Sequence, residues 1–507
     1  MGQPPESTTP GGEPPDPEQP PELDRSRTAT ARRIGRNVSL RALGDIISKV
    51  ATLVLFVAIA RELGEDSLGD VVFALSLAAL VIVPAALGTE ELMGREVARD
   101  FSQVHRYLPN LVALRTVMTV PLLAGSVGVL AALGYTGDEL LVVVLVSLAV
   151  AFESLAIPWQ SAFQAFERLG LVSASVVAQR VVSTTIGVAV LAKGGDVLAV
   201  AVAFPVGSFV GWALAVYLMR SRIVRIRWQL DPSGWGSLIR RGIPNGIADL
   251  AFTVLLRVDS VLLGLLRGGA DSNRQVGLYG AAFRLIESTM FISWSLSGAL
   301  FPWFSRSSDS HARGYQLALK ASMTLLMPLA AGLAVLAGPV VELLYGDRFA
   351  GAVLPMRILA GLIVLYGVNQ LAVAVLVARG QPLRFARLAG GAAALNIALN
   401  LALIPPLGAV GAAIAATASG VALAAAGLLA VQGVLGRVNM LPVALGPALG
   451  ALAMVAVGLV LPAALWPTAP VIAILYPLVL VAIERLVFPD DLAMITGVLR
   501  RRGGDDS

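Results

Sequence analysis

Long apolar segments separated by short polar connections recur along the chain from Val38 to Phe488. Most are about 20 residues long, and a helix of that length, rising about 1.5 Å per residue, crosses a hydrocarbon core of about 30 Å. The pattern predicts an all-α polytopic membrane protein with about fourteen transmembrane helices. The predicted spans are residues 38–60, 68–88, 110–133, 139–157, 171–192, 196–219, 243–266, 278–302, 317–344, 351–378, 384–404, 409–433, 443–463 and 469–488.

Composition supports this prediction and narrows the chemistry. Of the 507 residues 56% are hydrophobic and 14% are charged, more apolar surface than one soluble core can bury. The net charge is +5, but the arginines lie in short clusters between apolar segments, as topology signals do, so no nucleic-acid partner is expected. The chain has no cysteine and only two isolated histidines, His105 and His311. We therefore expect no disulfide, no metal site and no cofactor.

The polar segments divide the chain into parts. Residues 1–36 are proline-rich and then basic, and we expect a disordered tail, because so few apolar groups cannot offset the entropy of ordering. Lys and Arg concentrate on the side of the termini, which predicts that both termini are cytoplasmic. The predicted parts are an N-lobe at 37–219, a basic cytoplasmic linker at 220–242, a C-lobe at 243–435, two extra helices at 436–490 and a cytoplasmic tail at 491–507.

Two pairs of segments suggest an internal duplication. The segment from Arg61 resembles the segment from Leu266, and the segment from Leu191 resembles the segment from Leu403. Lobes of about six helices each imply a parallel repeat. Two similar bundles that face a central cavity are typical of a transporter.

Six charged residues lie deep in the predicted spans. A charge at the bilayer centre costs at least about 2.5 kcal/mol, so each side chain should face protein or a hydrated cavity. The spacing puts Arg257 and Arg284 at similar depths on antiparallel neighbours. Four cations against two carboxylates favour an anionic ligand, especially phosphate; internal pairing that only holds helices together is the alternative. The six residues are Lys49, Arg180, Arg257, Asp259, Arg284 and Glu287.

The spacing also predicts contacts. Arg257 and Asp259 are two residues apart and point to different sides of their helix, so we expect Asp259 to reach Arg284 instead. The first span carries Arg41, Asp45 and Lys49 four residues apart, a polar stripe that runs toward the midplane. The remaining charges lie nearer the helix ends, where structural roles are expected; they are Arg115, Glu153, Asp249, Lys320 and Arg357.

Residues 380–419 contain a characteristic pattern of Asn, Pro and Gly residues in the segment GQPLRFARLAGGAAALNIALNLALIPPLGAVGAAIAATAS. With VGLYGAAFRLIES from Val276 and the first hairpin, it resembles the polysaccharide flippases of the multidrug/oligosaccharidyl-lipid/polysaccharide exporter superfamily. The resemblance covers roughly residues 38–435. The last two spans exceed the twelve-helix core, as in the related peptidoglycan lipid II flippases.

The resemblance implies a non-enzymatic protein of the bacterial inner membrane that moves an undecaprenyl-diphosphate-linked oligosaccharide between leaflets by alternating access. A monovalent cation or a proton is the expected coupling ion. Asn396 and Asn400, one turn apart, can donate to sugar hydroxyls or form helix-to-helix hydrogen bonds. The predicted substrate-binding residues are Arg257, Arg284, Lys49, Arg180, Arg41, Asn396 and Asn400, and the predicted coupling residues are Asp259, Glu287 and Asp45.

Three alternatives stay open. A peptidoglycan lipid II flippase fits the same cavity chemistry and the two extra helices. A cation-coupled multidrug exporter of the same superfamily should have a more acidic cavity than this chain offers. A membrane glycosyltransferase needs a substantial outer loop, and the predicted outer connections are short.

Overall fold

The computed structural model describes residues 22–86, 88–267, 270–306, 311–461 and 465–487. The described residues form α-helices joined by short connections and 3₁₀ turns. The helices are α1 (Glu22–Ala86), α2 (Thr89–Arg99), α3 (Val104–Ala132), α4 (Gly137–Ala165), α5 (Leu169–Leu191), α6 (Val197–Ala201), α7 (Ala203–Arg222), α8 (Trp235–Arg267), α9 (Ala270–Arg306), α10 (His311–Val335), α11 (Ala337–Tyr345), α12 (Val353–Leu359), α13 (Gly361–Ala378), α14 (Pro382–Leu407), α15 (Ala409–Leu435), α16 (Leu441–Val460) and α17 (Leu465–Val487).

Helix α1 consists of two spans that meet at Gly64. The φ and ψ angles of Gly64 are 88° and −173°, a conformation that a side chain opposes. Residues 45–56 and residues 75–82 line the same cavity, so the chain folds back at this glycine. A straight helix of the same length is far longer than a bilayer is thick. The predicted spans 38–60 and 68–88 are therefore both present.

Eleven helices among the described residues are long and apolar enough to cross a membrane, with the two-part α1 counted once. Helices α8 and α9 are also long enough, at 33 and 37 residues, but they carry buried charges and are not among the eleven. The all-α membrane fold is thus confirmed, whereas the number of fourteen spans stays a prediction. The predicted span 317–344 is divided into α10 and α11, because the chain leaves helical geometry around Leu336.

One segment differs from the expectation, and one connection between predicted spans contains an additional helix. Helix α1 extends back to Glu22, so residues 22–36 of the expected disordered tail are helical in the structure. The last proline of the tail is Pro21, and beyond it nothing prevents helix formation. The rest of that tail and the predicted tail at 491–507 lie outside the described residues. The connection after the second span contains α2, whose Met93 and Val97 are buried against α4.

The linker at residues 220–242 is held against the N-terminal half of the protein. The side chain of Asn110 donates to the carbonyl oxygen of Gln229 at 2.8 Å. Its amide oxygen accepts from the backbone N–H of Asp231 at 2.8 Å and from the indole N–H of Trp235 at 2.9 Å. Helix α8 begins at Trp235, so the last eight residues of the predicted linker already belong to a helix.

Two sets of packed helices meet around α1, α8 and α9. One hydrophobic cluster runs through both halves of the molecule and includes Phe56, Leu263, Tyr279 and Ile286. Helix α14 packs on α8 and α15, and α16 packs on α10 and α17. The two C-terminal helices expose many large apolar side chains, as lipid-facing helices do; Leu459 is 83% exposed.

We expect the Gly64→Ala variant to be less stable by about 1–3 kcal/mol, because alanine strongly disfavours the backbone angles of this turn. Thermal unfolding of the purified protein in detergent, followed by tryptophan fluorescence, measures the change. Gly125→Ala is the control, since a Cβ atom there meets nothing within 4 Å. Equal unfolding temperatures for the two variants would show that the turn does not require glycine.

Candidate functional site

A cavity of about 450 Å³ lies between the N-terminal helices and α8 and α9. Both spans of α1 line it, together with residues of α3, α4, α5, α7, α8 and α9. This is the central cavity that the sequence predicted between two lobes. Its charged lining residues are Asp45, Lys49, Arg115, Glu153, Arg180, Arg257, Arg284 and Glu287.

Arg257, Arg284 and Glu287 form an ion triad in the cavity wall. Nη2 of Arg257 lies 2.7 Å from Oε1 of Glu287, and Nη1 of Arg284 lies 2.8 Å from Oε2 of the same carboxylate. Helix α8 supplies Arg257, while Arg284 and Glu287 follow one another by three residues on α9, which places them on one face. The two arginines therefore share one layer, and one carboxylate serves both.

The guanidinium group of Arg284 also stacks on an aromatic ring. Its Cζ atom lies 3.8 Å from the ring centroid of Phe56 on α1. A cation over a ring face is stabilised without being neutralised, so the positive charge remains available to a ligand. Phe56 is buried, and its neighbour Leu55 packs against α5.

The remaining cavity charges come from the N-terminal half. Nη2 of Arg180 lies 3.0 Å from Oε1 of Glu153, and both side chains are about one-third exposed. Lys49 lines the same cavity. It lies within electrostatic range of Glu287 and of Arg180, Arg257 and Arg284. It forms no ion pair among the described residues.

The predicted polar stripe on α1 is only partly in the cavity. Nε of Arg41 lies 3.2 Å from Oδ1 of Asp45, one turn further on, and both side chains are more than one-third exposed. Asp45 belongs to the cavity lining, whereas Arg41 does not. Arg41 thus compensates the charge of Asp45 from the cavity's edge.

The cavity carries a net positive charge. Five cations and three carboxylates line it, so its formal charge is +2. The charges lie in a partly desolvated space, where electrostatic interactions are stronger than in bulk water. The arrangement can bind an anion with two phosphoryl groups, because two guanidinium groups lie on either side of one carboxylate.

The predicted contact between Asp259 and Arg284 is wrong. Asp259 is fully buried and accepts hydrogen bonds from the hydroxyl of Tyr279 at 2.7 Å and from the amide of Asn400 at 2.5 Å. Because Arg257 faces the cavity, Asp259 on the opposite side of α8 faces α14 instead.

Asn396 and Asn400 are fully buried and connect helices. Asn396 donates to the hydroxyl of Ser419 on α15 at 3.2 Å, while Asn400 donates to Asp259 on α8. Neither is part of the cavity lining. The amides form the helix-to-helix hydrogen bonds that the sequence offered as one of their two roles, and this conformation keeps them away from a sugar in the cavity.

Sequence reasoning undervalued two residues of the cavity. Arg115, expected near a helix end, is 95% buried, forms an ion pair with Glu90 and donates to the hydroxyl of Ser154 at 2.5 Å. Glu153, also assigned a structural role, is the partner of Arg180. Their positions near the ends of predicted spans indicated structural roles. Their distance from the cavity depends on how α3 and α4 pack, which the position within one helix does not reveal. Among the described residues no group of three or more His, Asp or Glu side chains is arranged to hold a metal.

Comparisons with known proteins agree with this geometry. A family model described as polysaccharide biosynthesis protein matches residues 34–308, more than half of the chain. The chain is 23% identical over 377 residues to the probable low-salt glycan biosynthesis flippase Agl15 of Haloferax volcanii, which covers 71% of this chain and 75% of that protein.

Solved structures share the fold. The lipid II flippase MurJ in an inward closed conformation superposes with a TM-score of 0.73 at 14% identity, over 89% of this chain and 99% of that one. An inward-facing multidrug resistance MATE family transporter of the MOP superfamily gives a TM-score of 0.58 at 13% identity, over 79% of this chain and 100% of that one. At such identities these likenesses establish the fold.

We expect the Glu287→Gln variant to unfold more easily but to bind anions more tightly. Removing the shared carboxylate leaves Arg257 and Arg284 facing each other, at a cost of about 1–3 kcal/mol, between the values for exposed and fully buried pairs. The same change makes the cavity more positive, so pyrophosphate should raise the unfolding temperature more in the variant than in the parent. Glu91→Gln, on the exposed face of α2, is the control. Equal effects of pyrophosphate on parent and variant would contradict an anion site at the triad.

Proposed function

The chain belongs to the polysaccharide biosynthesis protein family, and from this premise we propose that it moves an undecaprenyl-diphosphate-linked oligosaccharide across the inner membrane by alternating access. The family predicted from residues 380–419, the segment from Val276 and the first hairpin is thereby confirmed. The protein is a multi-pass membrane protein with the fold of flippases and transporters rather than of enzymes. The lipid carrier, the glycan and the cytoplasmic location of both termini belong to the proposal.

The observation that carries the proposal is the pair of guanidinium groups held apart by Glu287. A diphosphate presents two charged groups in sequence, and each arginine can bind one of them bidentately. Lys49 and Arg180 add charge around the same space. When the diphosphate enters, it substitutes for part of the contact with Glu287, so the arginines stay paired in both states.

The size of the cavity defines what it can hold. A volume of about 450 Å³ lies within the usual range for small-molecule sites, about 300–1,000 Å³. It accommodates a diphosphate with the first sugars, whereas a polyprenyl chain of many isoprene units exceeds it. The tail therefore stays in the bilayer during transfer, since burying it in a cationic cavity forfeits its hydrophobic contacts with lipid.

Asp259 is our candidate for the coupling residue. It is fully buried, and it forms no ion pair among the described residues. The nearby amide oxygen of Asn400 is buried without a hydrogen-bond donor. A carboxylate, an amide oxygen and the hydroxyl of Ser419 are hard oxygen ligands, which suit a monovalent cation; protonation of Asp259 is the other way to neutralise the site.

Helix α8 links this site to the cavity. Asp259 and Arg257 lie two residues apart and point to different sides of one helix. Neutralising Asp259 changes how α8 packs against α14, and any shift of α8 moves Arg257 relative to Glu287. The coupling ion and the diphosphate can thus bias the same rigid element without touching each other.

Two alternatives keep some support. A lipid II substrate is favoured by the fold of the lipid II flippase and has the same diphosphate chemistry. A drug exporter is favoured by the fold of the MATE transporter, but organic cations are repelled by a cavity of formal charge +2.

We expect the Arg284→Gln variant to lose about 10- to 100-fold in glycan transport, because a charge-assisted hydrogen bond contributes about 1.5–3 kcal/mol. Transport is measured in proteoliposomes with fluorescent undecaprenyl-diphosphate-linked oligosaccharide and, separately, with lipid II. Arg257 still pairs with Glu287 in this variant, so its abundance should equal that of the parent. Arg95→Gln, in an exposed pair on α2, is the matched control. Parental transport of both lipids by the variant would remove Arg284 from the site.

We expect the Asp259→Asn variant to lose the dependence of transport on the driving ion, since asparagine keeps the size of Asp259 and one of its two acceptor oxygens but carries no negative charge for an ion to neutralise. Transport by the parent and the variant is compared across sodium and pH gradients imposed on the same proteoliposomes. Asp138→Asn, which is exposed, is the control. A variant that still responds to the gradient like the parent would place coupling elsewhere.

A further inference from the structure

A close glycine contact joins α1 and α9 near the turn of α1. A Cβ atom on Gly69 of α1 would overlap the carbonyl oxygen of Asn273, and a Cβ atom on Gly277 of α9 would overlap the carbonyl oxygen of Glu65. The backbones of α1 and α9 therefore touch, which only glycine permits at this distance. Gly69 in LGDVVFAL and Gly277 in VGLYGAAF occupy matching positions of the two similar segments.

Polar contacts join the two halves beside these glycines. Nε of Arg274 lies 3.3 Å from Oε1 of Glu65. The amide of Asn273 donates to Glu139 at 3.2 Å, and Nε of Arg61 donates to the carbonyl oxygen of Leu344 at 2.8 Å. The side chain of Arg274 is 52% exposed, so its ion pair is weak and can open thermally.

The opposite end has the same construction. Gly88, between α1 and α2, adopts a φ angle of +60°, and a Cβ atom on it would lie 2.6 Å from the carbonyl oxygen of Gly242 on α8. Beside this contact, Nη2 of Arg241 lies 2.7 Å from Oε1 of Glu96 on α2. Again the N-terminal half supplies the glutamate and the C-terminal half supplies the arginine, and the arginine is 49% exposed.

The two contacts lie at opposite ends of the cavity. The stretch of α1 from Gly69 to Ala86 is about 26 Å long, close to the thickness of a hydrocarbon core. Cavity residues of α1 such as Ala79 lie between these glycines, and Arg257 of α8 lies beyond Gly242 toward the other end. Helix α9 therefore contacts α1 on one side of the cavity, and α8 contacts Gly88 and α2 on the other side.

We propose that these contacts are the two gates of the transport cycle, each built from a close glycine contact and a Glu–Arg pair that spans the two halves. Glu65 and Arg274 hold the gate at the α1 turn, and Glu96 and Arg241 hold the opposite gate. Weak, exposed pairs suit this task because a stable pair traps the cavity in one state. The assignment of the contacts as gates rests on the proposed alternating access.

Cross-linking tests both gates, and the chain has no cysteine of its own. In Glu65→Cys/Arg274→Cys and in Glu96→Cys/Arg241→Cys, a short reducible thiol cross-linker should lower transport at least tenfold, and reductant should restore it. The control is Glu91→Cys/Arg95→Cys, within α2, where cross-linking should leave transport unchanged. Full transport by either cross-linked gate pair would refute that gate.

A second measurement does not depend on the substrate. A single cysteine is introduced into the cavity wall by the Ser288→Cys substitution. This cysteine is labelled with a membrane-impermeant thiol reagent, added to either side of the membrane. Adding Gly69→Ala should increase labelling from the side of the α1 turn several-fold, because the added methyl group prevents close contact with Asn273. Alanine favours helix, so the variant does not weaken α1 itself. Gly125→Ala is the matched control.

The labelling separates the two proposals. If no glycan is transported but Gly69→Ala still opens the cavity to one side, the gate stands and the proposed substrate is wrong. If labelling of the Gly69→Ala variant equals that of the control, the gate at the α1 turn is refuted whatever the protein transports.

Discussion

The structure depends on how a strongly cationic chamber is kept inside an apolar protein. Arg257 and Arg284 cannot stand unpaired at membrane depth, and a single carboxylate, Glu287, compensates both. If a second carboxylate neutralised both arginines fully, little attraction for an anion would remain. If no carboxylate were present, the unpaired arginines would lower the stability of the protein by several kcal/mol. One shared glutamate avoids both costs, and it leaves the cavity with a net positive charge, as the proposed phosphorylated ligand requires.

This constraint explains where the charged residues lie along α8 and α9. Both helices give up the apolar composition of ordinary spans, since each carries charges deep in its length. The opposite side of α8 carries Asp259, which α14 surrounds with amides instead of cations. A cluster with cationic side chains thus lies on one side of α8, and a buried carboxylate lies on the other side. A movement of that helix affects both, which is the physical requirement for coupling one ligand to another.

Glycines allow α9 to approach α1 closely at one end of the cavity and α8 to approach Gly88 closely at the other, while charged side chains line the space between these contacts. Gly69 and Gly277 bring two backbones into contact, and the lysine and arginine side chains between the ends need space and water. The cavity is the volume left between these two requirements. Ion pairs at the ends add little energy, so the enclosure can be closed without being permanent.

By itself the sequence determined the membrane class, the helical fold, the family and four of the five cations that line the cavity, because these depend on local hydropathy, residue type and spacing. It also established that Arg257 and Asp259 point apart and that Arg284 and Glu287 share a face, since both follow from helical geometry. The partners of Asp259, the position of Asn396 and Asn400 outside the cavity, and the participation of Glu153 and Arg115 were decided only by the tertiary structure. Periodicity gives the direction of a side chain on its own helix, but which helix it meets depends on packing between residues more than 100 positions apart in the chain, such as Asp259 and Asn400.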